Sequence, residues 1–174
     1  LELCQSLTDQ GLTVLKGAAQ LRILVLTGTG ITDSGVNGLS SWSNLRVLDL
    51  ELCDGVTDLS CTALGTMRFL QVLILRKSGF EPERITDDGM RSLQQLTQLE
   101  VLDLYGNRVT DAGLYGIKNW NNLRALNLSL LPITDSGLFH LSTLKQLRYL
   151  QLVYSEGVAG PIVTNQGLHA LLKL

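Results

Sequence analysis

One six-residue run, LxxLxL, constrains this chain more than any other feature. It occurs as LRILVL, LRVLDL, LQVLIL, LEVLDL, LRALNL and LRYLQL, starting at Leu21, Leu45, Leu70, Leu99, Leu123 and Leu147. The starts are 24, 25, 29, 24 and 24 residues apart. After each run comes a second phrase: ITDSGV (31–36), VTDLSC (56–61), ITDDGM (85–90), VTDAGL (109–114), ITDSGL (133–138) and VTNQGL (163–168). LTDQGL (7–12) precedes the first run. A fixed period of this size over a whole chain marks a stack of small units.

Each unit reads as one strand and one short helix. In LxxLxL the alternating leucines point one way into a core and the residues between them point out. Thr of the TD pair is a good N-cap, and Asp places negative charge in the first helical turn, where the dipole favours it. GLxxLxxL then supplies apolar residues at helical spacing. One unit cannot bury its own stripe, so neighbours stack. Strand, helix and return in a constant direction make a parallel sheet on one face and helices on the other. The glycine that most of these phrases share sits in the first helical turn, where close approach to the sheet is its simplest cause.

At these residues the chain resembles the leucine-rich repeat family over its full length. The resemblance implies an α/β solenoid, a horseshoe arc with a parallel sheet on the concave face and short helices on the convex face. It implies one domain, 1–174, of about seven repeats of ~24–29 residues. The ITDxGL phrase, with Cys4 and Cys53 in the matching phrases LELCQSLTD and LELCDGVTD, is similar to the cysteine-containing subclass seen in F-box-type substrate receptors. That implies a ubiquitin-ligase substrate receptor, with a Skp1-type adaptor held by sequence outside these residues. The chain opens at LEL and ends at LHALLKL without a polar capping unit, so we expect a fragment of a longer protein, or ends that self-associate.

Several function classes fall away. No apolar run approaches the roughly 20 residues of a membrane-spanning helix. A net charge of −2 without a basic block argues against nucleic acid. Three cysteines, Cys4, Cys53 and Cys61, do not form a disulfide framework. Cys4 and Cys53 stand two repeats apart, roughly 10 Å, too far to pair. A reduced intracellular setting, cytoplasmic or nuclear, is expected, with Cys53 a buried thiol bonding loop backbone. Trp42 and Trp120 share one slot with Met67, Leu96 and Leu144 and read as core. His140 and His169 lie on successive helices without further ligands, so no metal or cofactor is expected. No nucleophile–base set or phosphate loop emerges, and we expect no enzyme.

What can recognise something is the outward side of the strands. Columns down the sheet read Val25, Asp49, Ile74, Asp103, Asn127, Gln151, and then Thr27, Glu51, Arg76, Tyr105, Ser129, Val153. The next holds Gly28, Leu52, Lys77, Gly106, Leu130 and Tyr154, and another ends at Tyr149. These positions vary in chemistry, as protein-binding surfaces do. Glu51 and Arg76 are lateral neighbours and are expected to pair. The 29-residue repeat carries five extra residues in SGFEPER, which adds Phe80 and Arg84 beside Arg76 and Lys77. A second insertion spans 155–163. The expected partner-binding set is therefore Asp49, Glu51, Arg76, Lys77, Phe80, Arg84, Asp103, Tyr105, Tyr149, Gln151 and Tyr154. The expected function is non-catalytic recognition of a protein partner, with a structural or self-associating scaffold as the alternative.

Overall fold

The structure, a computed structural model, describes residues 6–18, 20–77, 84–154, 163–172 and 174. Cys4, Phe80 and most of the 155–163 insertion lie outside the described residues. Among the described residues seven helices and six strands alternate: α1 (Asp9–Val14), β1 (Ile23–Val25), α2 (Asp33–Leu39), β2 (Val47–Asp49), α3 (Asp58–Leu64), β3 (Val72–Ile74) and α4 (Asp87–Leu93). There follow β4 (Val101–Asp103), α5 (Asp111–Leu114), β5 (Ala125–Asn127), α6 (Asp135–Leu141), β6 (Tyr149–Gln151) and α7 (Asn165–Leu171). Short 3₁₀ turns extend α1 and α5.

The strands form one parallel sheet in the order β1 to β6. Its register joins Ile23, Val47, Val72, Val101, Ala125 and Tyr149 in one row, so even the 29-residue repeat re-enters the sheet in phase. A one-residue slip would turn every leucine outward, and that penalty fixes the register.

Behind the sheet the leucines form a continuous core. Leu48, Leu50, Leu73, Leu102, Leu104 and Leu128 have no exposed surface. Trp42, Met67, Leu96, Trp120 and Leu144 are buried in their shared slot, as their common position implies. Trp120 Nε1 has no hydrogen-bond partner among the described residues, a polar cost accepted for the ring's volume.

The strand exits correct one sequence expectation. The column holding Gly28, Leu52, Gly106 and Leu130 adopts positive φ, between 58° and 72°. Two leucines there carry strain of roughly 1–2 kcal/mol each. Lys77 shares the column yet does not adopt that conformation. Its side chain turns inward, is 2% exposed, and its Nζ donates to the Cys53 carbonyl. Lys77 is therefore not on the outer face: lacking the positive φ of its column, it keeps the parity of the buried Leu73 and Leu75 and turns inward with them.

The next position supplies donors to the buried corner. Thr29 Oγ1 donates to the Leu26 carbonyl (2.8 Å), Cys53 Sγ to that same carbonyl (3.1 Å), and Asn107 Nδ2 to those of Leu75 (2.8 Å) and Leu104 (3.0 Å). Hydroxyl, thiol and amide perform one task, namely satisfying backbone that water cannot reach.

Candidate functional site

The helix starts must be separated from the site, because their charges have another use. Thr32, Thr57, Thr86, Thr110, Thr134 and Thr164 each accept from the N–H two residues on, as N-caps do. The aspartates of the TD phrases, from Asp9 to Asp135, reach into the following repeat. Asp9 takes Thr32 N–H (2.8 Å) and Oγ1–H (2.6 Å), and Asp58 does the same with Thr86 (2.8 and 2.6 Å). Asp33, Asp87, Asp111 and Asp135 repeat the pattern with Thr57, Thr110, Thr134 and Thr164. Each Thr hydroxyl thus donates to one repeat's carboxylate and accepts from its own helix. The aspartates are a ladder between repeats as well as charges in a first turn.

The ladder also explains the glycines, and here the sheet is not the cause. A Cβ on Gly113 would stand 2.5 Å from Asp87 Oδ1 and 2.7 Å from Val109 Cγ1. Gly35, Gly89, Gly137 and Gly167 meet the preceding repeat's aspartate in the same way. Ser60, which replaces this glycine in VTDLSC, donates both its N–H (2.9 Å) and its hydroxyl to Asp33. Burial pushes the Asp33 carboxyl up, but the Ser60 and Thr57 bonds outweigh it and hold the group below 3.8.

On the open face of the sheet the expected residues are brought together around Arg76. Its Nε lies 3.7 Å from Glu51 Oε1 and 3.8 Å from Asp103 Oδ2, and its guanidinium sits 4.7 Å from the centre of the Tyr105 ring. The expected Glu51–Arg76 pair is present, widened to three strands' worth of partners. Asp49 and Asp103 also hold the local backbone, accepting from the N–H of Glu51 (2.8 Å) and Tyr105 (3.0 Å). Asn127 does the same for Ser129 (3.0 Å) and donates to Asp103 Oδ2 (3.1 Å). Asn127 and Ser129 are buried, so the expected outward columns are interrupted at β5.

A second group lies at the C-terminal end. Tyr149 is 56% exposed and donates to Gln151 Oε1 (3.0 Å). Tyr154 is 43% exposed and its hydroxyl donates to the Ile133 carbonyl (3.2 Å). Burial, then Asp111 and Asp135, push that hydroxyl above 10.0. Val153 between them is exposed. At the other end Ile23 and Val25 are about 60% exposed, an aliphatic pair that the columns contained and the expected set omitted. In sequence β3 carries the same apolar pair, Val72 and Ile74, and what exposes Ile23 and Val25 is the place of β1 at the end of the described sheet. Arg84 is half-buried beside Gly106, with Nη1 3.5 Å from where a Cβ would stand.

Other chemistry does not assemble. His140 meets the edge of the Tyr115 ring (5.6 Å, 86°), while His169 lines a cleft with Asp135, Ser136, Phe139, Gln166 and Ala170. Among the described residues no group of three or more His, Cys, Asp or Glu could hold a metal. Cys61 is buried, and desolvation, then Asp58 and Asp33, push its thiol far up, out of the reactive range. Among the described residues no helix is long and apolar enough to cross a membrane.

A family model described as leucine-rich repeat matches residues 20–40, 43–65 and 95–118. Among solved structures the chain is similar to an internalin C2 from Listeria monocytogenes, at 26% identity and a TM-score of 0.64. The likeness covers 86% of this chain and 63% of that one, so the chain spans under two thirds of the internalin's length. A comparison with curated proteins gives no match. The repeat, the one-sided parallel sheet and these likenesses support the leucine-rich repeat family for this chain, with the fold of an α/β leucine-rich-repeat solenoid.

Proposed function

We propose that the chain is a non-catalytic protein-interaction module whose concave sheet face recognises a partner protein. The observation that carries this reading is Arg76. Two carboxylates and one aromatic ring hold its side chain in place while it stays 37% accessible. An arginine oriented before contact loses less conformational freedom on binding. Exposed Ile23 and Val25 on one side and Tyr149, Val153 and Tyr154 on the other supply apolar and aromatic area. Tyrosine and arginine are the usual anchors of interfaces. Glu51, Asp49, Asp103, Tyr105 and Gln151 complete the face, and the insertions at 78–84 and 155–163 border it in sequence.

The test is affinity purification with mass spectrometry from the native source, comparing the natural chain with Arg76→Glu and Tyr105→Ala. Loss of the same co-purifying proteins from both variants supports the reading. Unchanged recovery from both overturns it. A ubiquitin-ligase version with a Skp1-type adaptor would rest on the cysteine phrase. That phrase gains little from the structure, because Thr29 and Asn107 do the work of Cys53 in other repeats.

A further inference from the structure

The chain contains no run of basic residues, yet the fold builds a row of them. The residue just before each strand reads Arg22, Arg46, Gln71, Glu100, Arg124, Arg148. These six are consecutive rungs. The Arg22 carbonyl accepts from the N–H groups of Arg46 and Val47, that of Arg46 from Gln71 and Val72, and so on to Arg148 and Tyr149. The row runs along the edge of the sheet opposite the aspartate ladder, since helices end there and strands begin. Rungs are about 4.8 Å apart, so Arg22 and Arg46 are side-by-side cations, and so are Arg124 and Arg148. Arg68 and Lys145, three residues ahead of Gln71 and Arg148, add to the same edge.

Like charges on adjacent strands repel and contribute nothing to folding. Among the described residues the edge holds one carboxylate, Glu100, shared between Arg124 (3.5 Å) and Gln71 (3.4 Å). Arg46 lies over the Phe69 ring (5.0 Å) and donates to the carbonyls of Ser43 (2.9 Å) and Leu45 (3.0 Å). Arg22, Arg68 and Arg148 have no side-chain partner among the described residues, and Arg22 and Arg148 are exposed. In a chain of net charge −2, this is a local concentration of positive charge with little to neutralise it.

We infer that this edge docks an extended, carboxylate-rich segment of a partner protein. The two arginine pairs are centred four rungs apart, about 19 Å. An extended chain covers that in about six residues, so the segment carries two acidic pairs with that spacing. A nucleic-acid strand fits less well. It needs an unbroken cation track, whereas Gln71 and Glu100 break this one at its centre, and Asp49, Glu51 and Asp103 lie on the adjoining sheet face.

The experiment uses a fluorescent peptide of about 14 residues with two Glu-Glu pairs six residues apart, followed by anisotropy. Binding is expected to weaken as ionic strength rises from about 0.05 to about 0.3 M. It should also be absent for the Glu→Gln peptide and fall at least about tenfold in Arg22→Glu/Arg148→Glu. Removing the single carboxylate with Glu100→Gln should tighten binding several-fold, a gain that misfolding cannot imitate. Equal binding of the Gln peptide, indifference to the arginine reversals, or no gain in Glu100→Gln overturns the inference. So does a single-stranded DNA of about 20 nucleotides that binds as tightly as the peptide. Arg76→Glu leaves peptide binding unchanged, which keeps this surface separable from the concave face.

Discussion

The strand-to-helix corner and the open sheet face both carry many charges, and they use them in opposite ways. At the corner the six aspartates Asp9, Asp33, Asp58, Asp87, Asp111 and Asp135 each meet a fixed threonine of the following repeat. The same three residue types, Thr, Asp and Gly, recur because each constrains the others. On the sheet face the columns through Asp49 and Arg76 change residue type from strand to strand, and the charges gather around Arg76. Repetition marks what the stack needs to hold together. Variation marks where a partner has room to be chosen.

The largest effect is expected from cutting the ladder. Asp33→Ala removes the acceptor for Thr57 and Ser60, four donors at once. Charge-assisted bonds of this kind are worth about 1.5–3 kcal/mol each, with strong overlap, so a loss of about 3 kcal/mol in urea unfolding is expected. The pH dependence has a definite sign. Because the folded carboxyl lies below 3.8, its contribution is full above that value and is lost as pH falls through the folded one. Asp33→Ala should therefore differ from the natural chain at pH 6 and converge with it in strong acid. A constant difference would show that the carboxylate's charge is not what matters.

Gly113→Ala attacks the same corner by volume. Its Cβ meets Asp87 Oδ1 and Val109 Cγ1, backed by the Met90 Cγ at 3.2 Å, and overpacking of this sort costs about 1–3 kcal/mol. If the closeness to Asp87 is the cause, Gly113→Ala combined with Asp87→Ala should cost less than the two singles added.

How much of this was legible differs between the same two regions. The strands, the core slot of Trp42 and Trp120 and the Glu51–Arg76 pair could be read, because a stack must bury the same positions in every unit and aligning units reveals columns. The ladder was half-hidden. Asp beside a threonine cap already has a local explanation, and nothing in one repeat points to the next. Lys77 was misplaced because alignment with Gly28, Leu52, Gly106 and Leu130 hid the two-residue alternation that puts it inward with Leu73 and Leu75. The arginine row was hidden by distance, since its members are 24 to 29 residues apart in sequence and one rung apart in space.

A smaller effect on stability separates the face from the corner. Arg76→Ala removes two partly exposed ion pairs, each worth about 0–1 kcal/mol, and a cation–aromatic contact of about 0.5–1 kcal/mol. With solvent screening the net change in urea unfolding should stay near 1 kcal/mol or less, well under that of Asp33→Ala. A loss as large as the ladder's would place Arg76 with the structural residues and remove the argument for an interface.

Lys77 offers the finest test, because it lies between the two regions. Burial lowers its ammonium below 10.5, opposed by Asp54, Cys53 and Asp33 and assisted by Arg84. A lysine that loses its proton more readily when folded releases one as the chain folds in the window just below 10.5. The unfolded state then holds more protons, and stability rises with pH across that window. Lys77→Met keeps the stem's length and deletes the charge, along with its bond to the Cys53 carbonyl. At neutral pH the lost bond and the relieved burial of charge oppose each other, so the change should stay within about 1 kcal/mol. The difference between natural chain and variant should move in the natural chain's favour as pH rises toward 10.5. If it does not move, Lys77 is as solvated as a surface lysine, and the sheet face extends one residue further toward the corner than the structure places it.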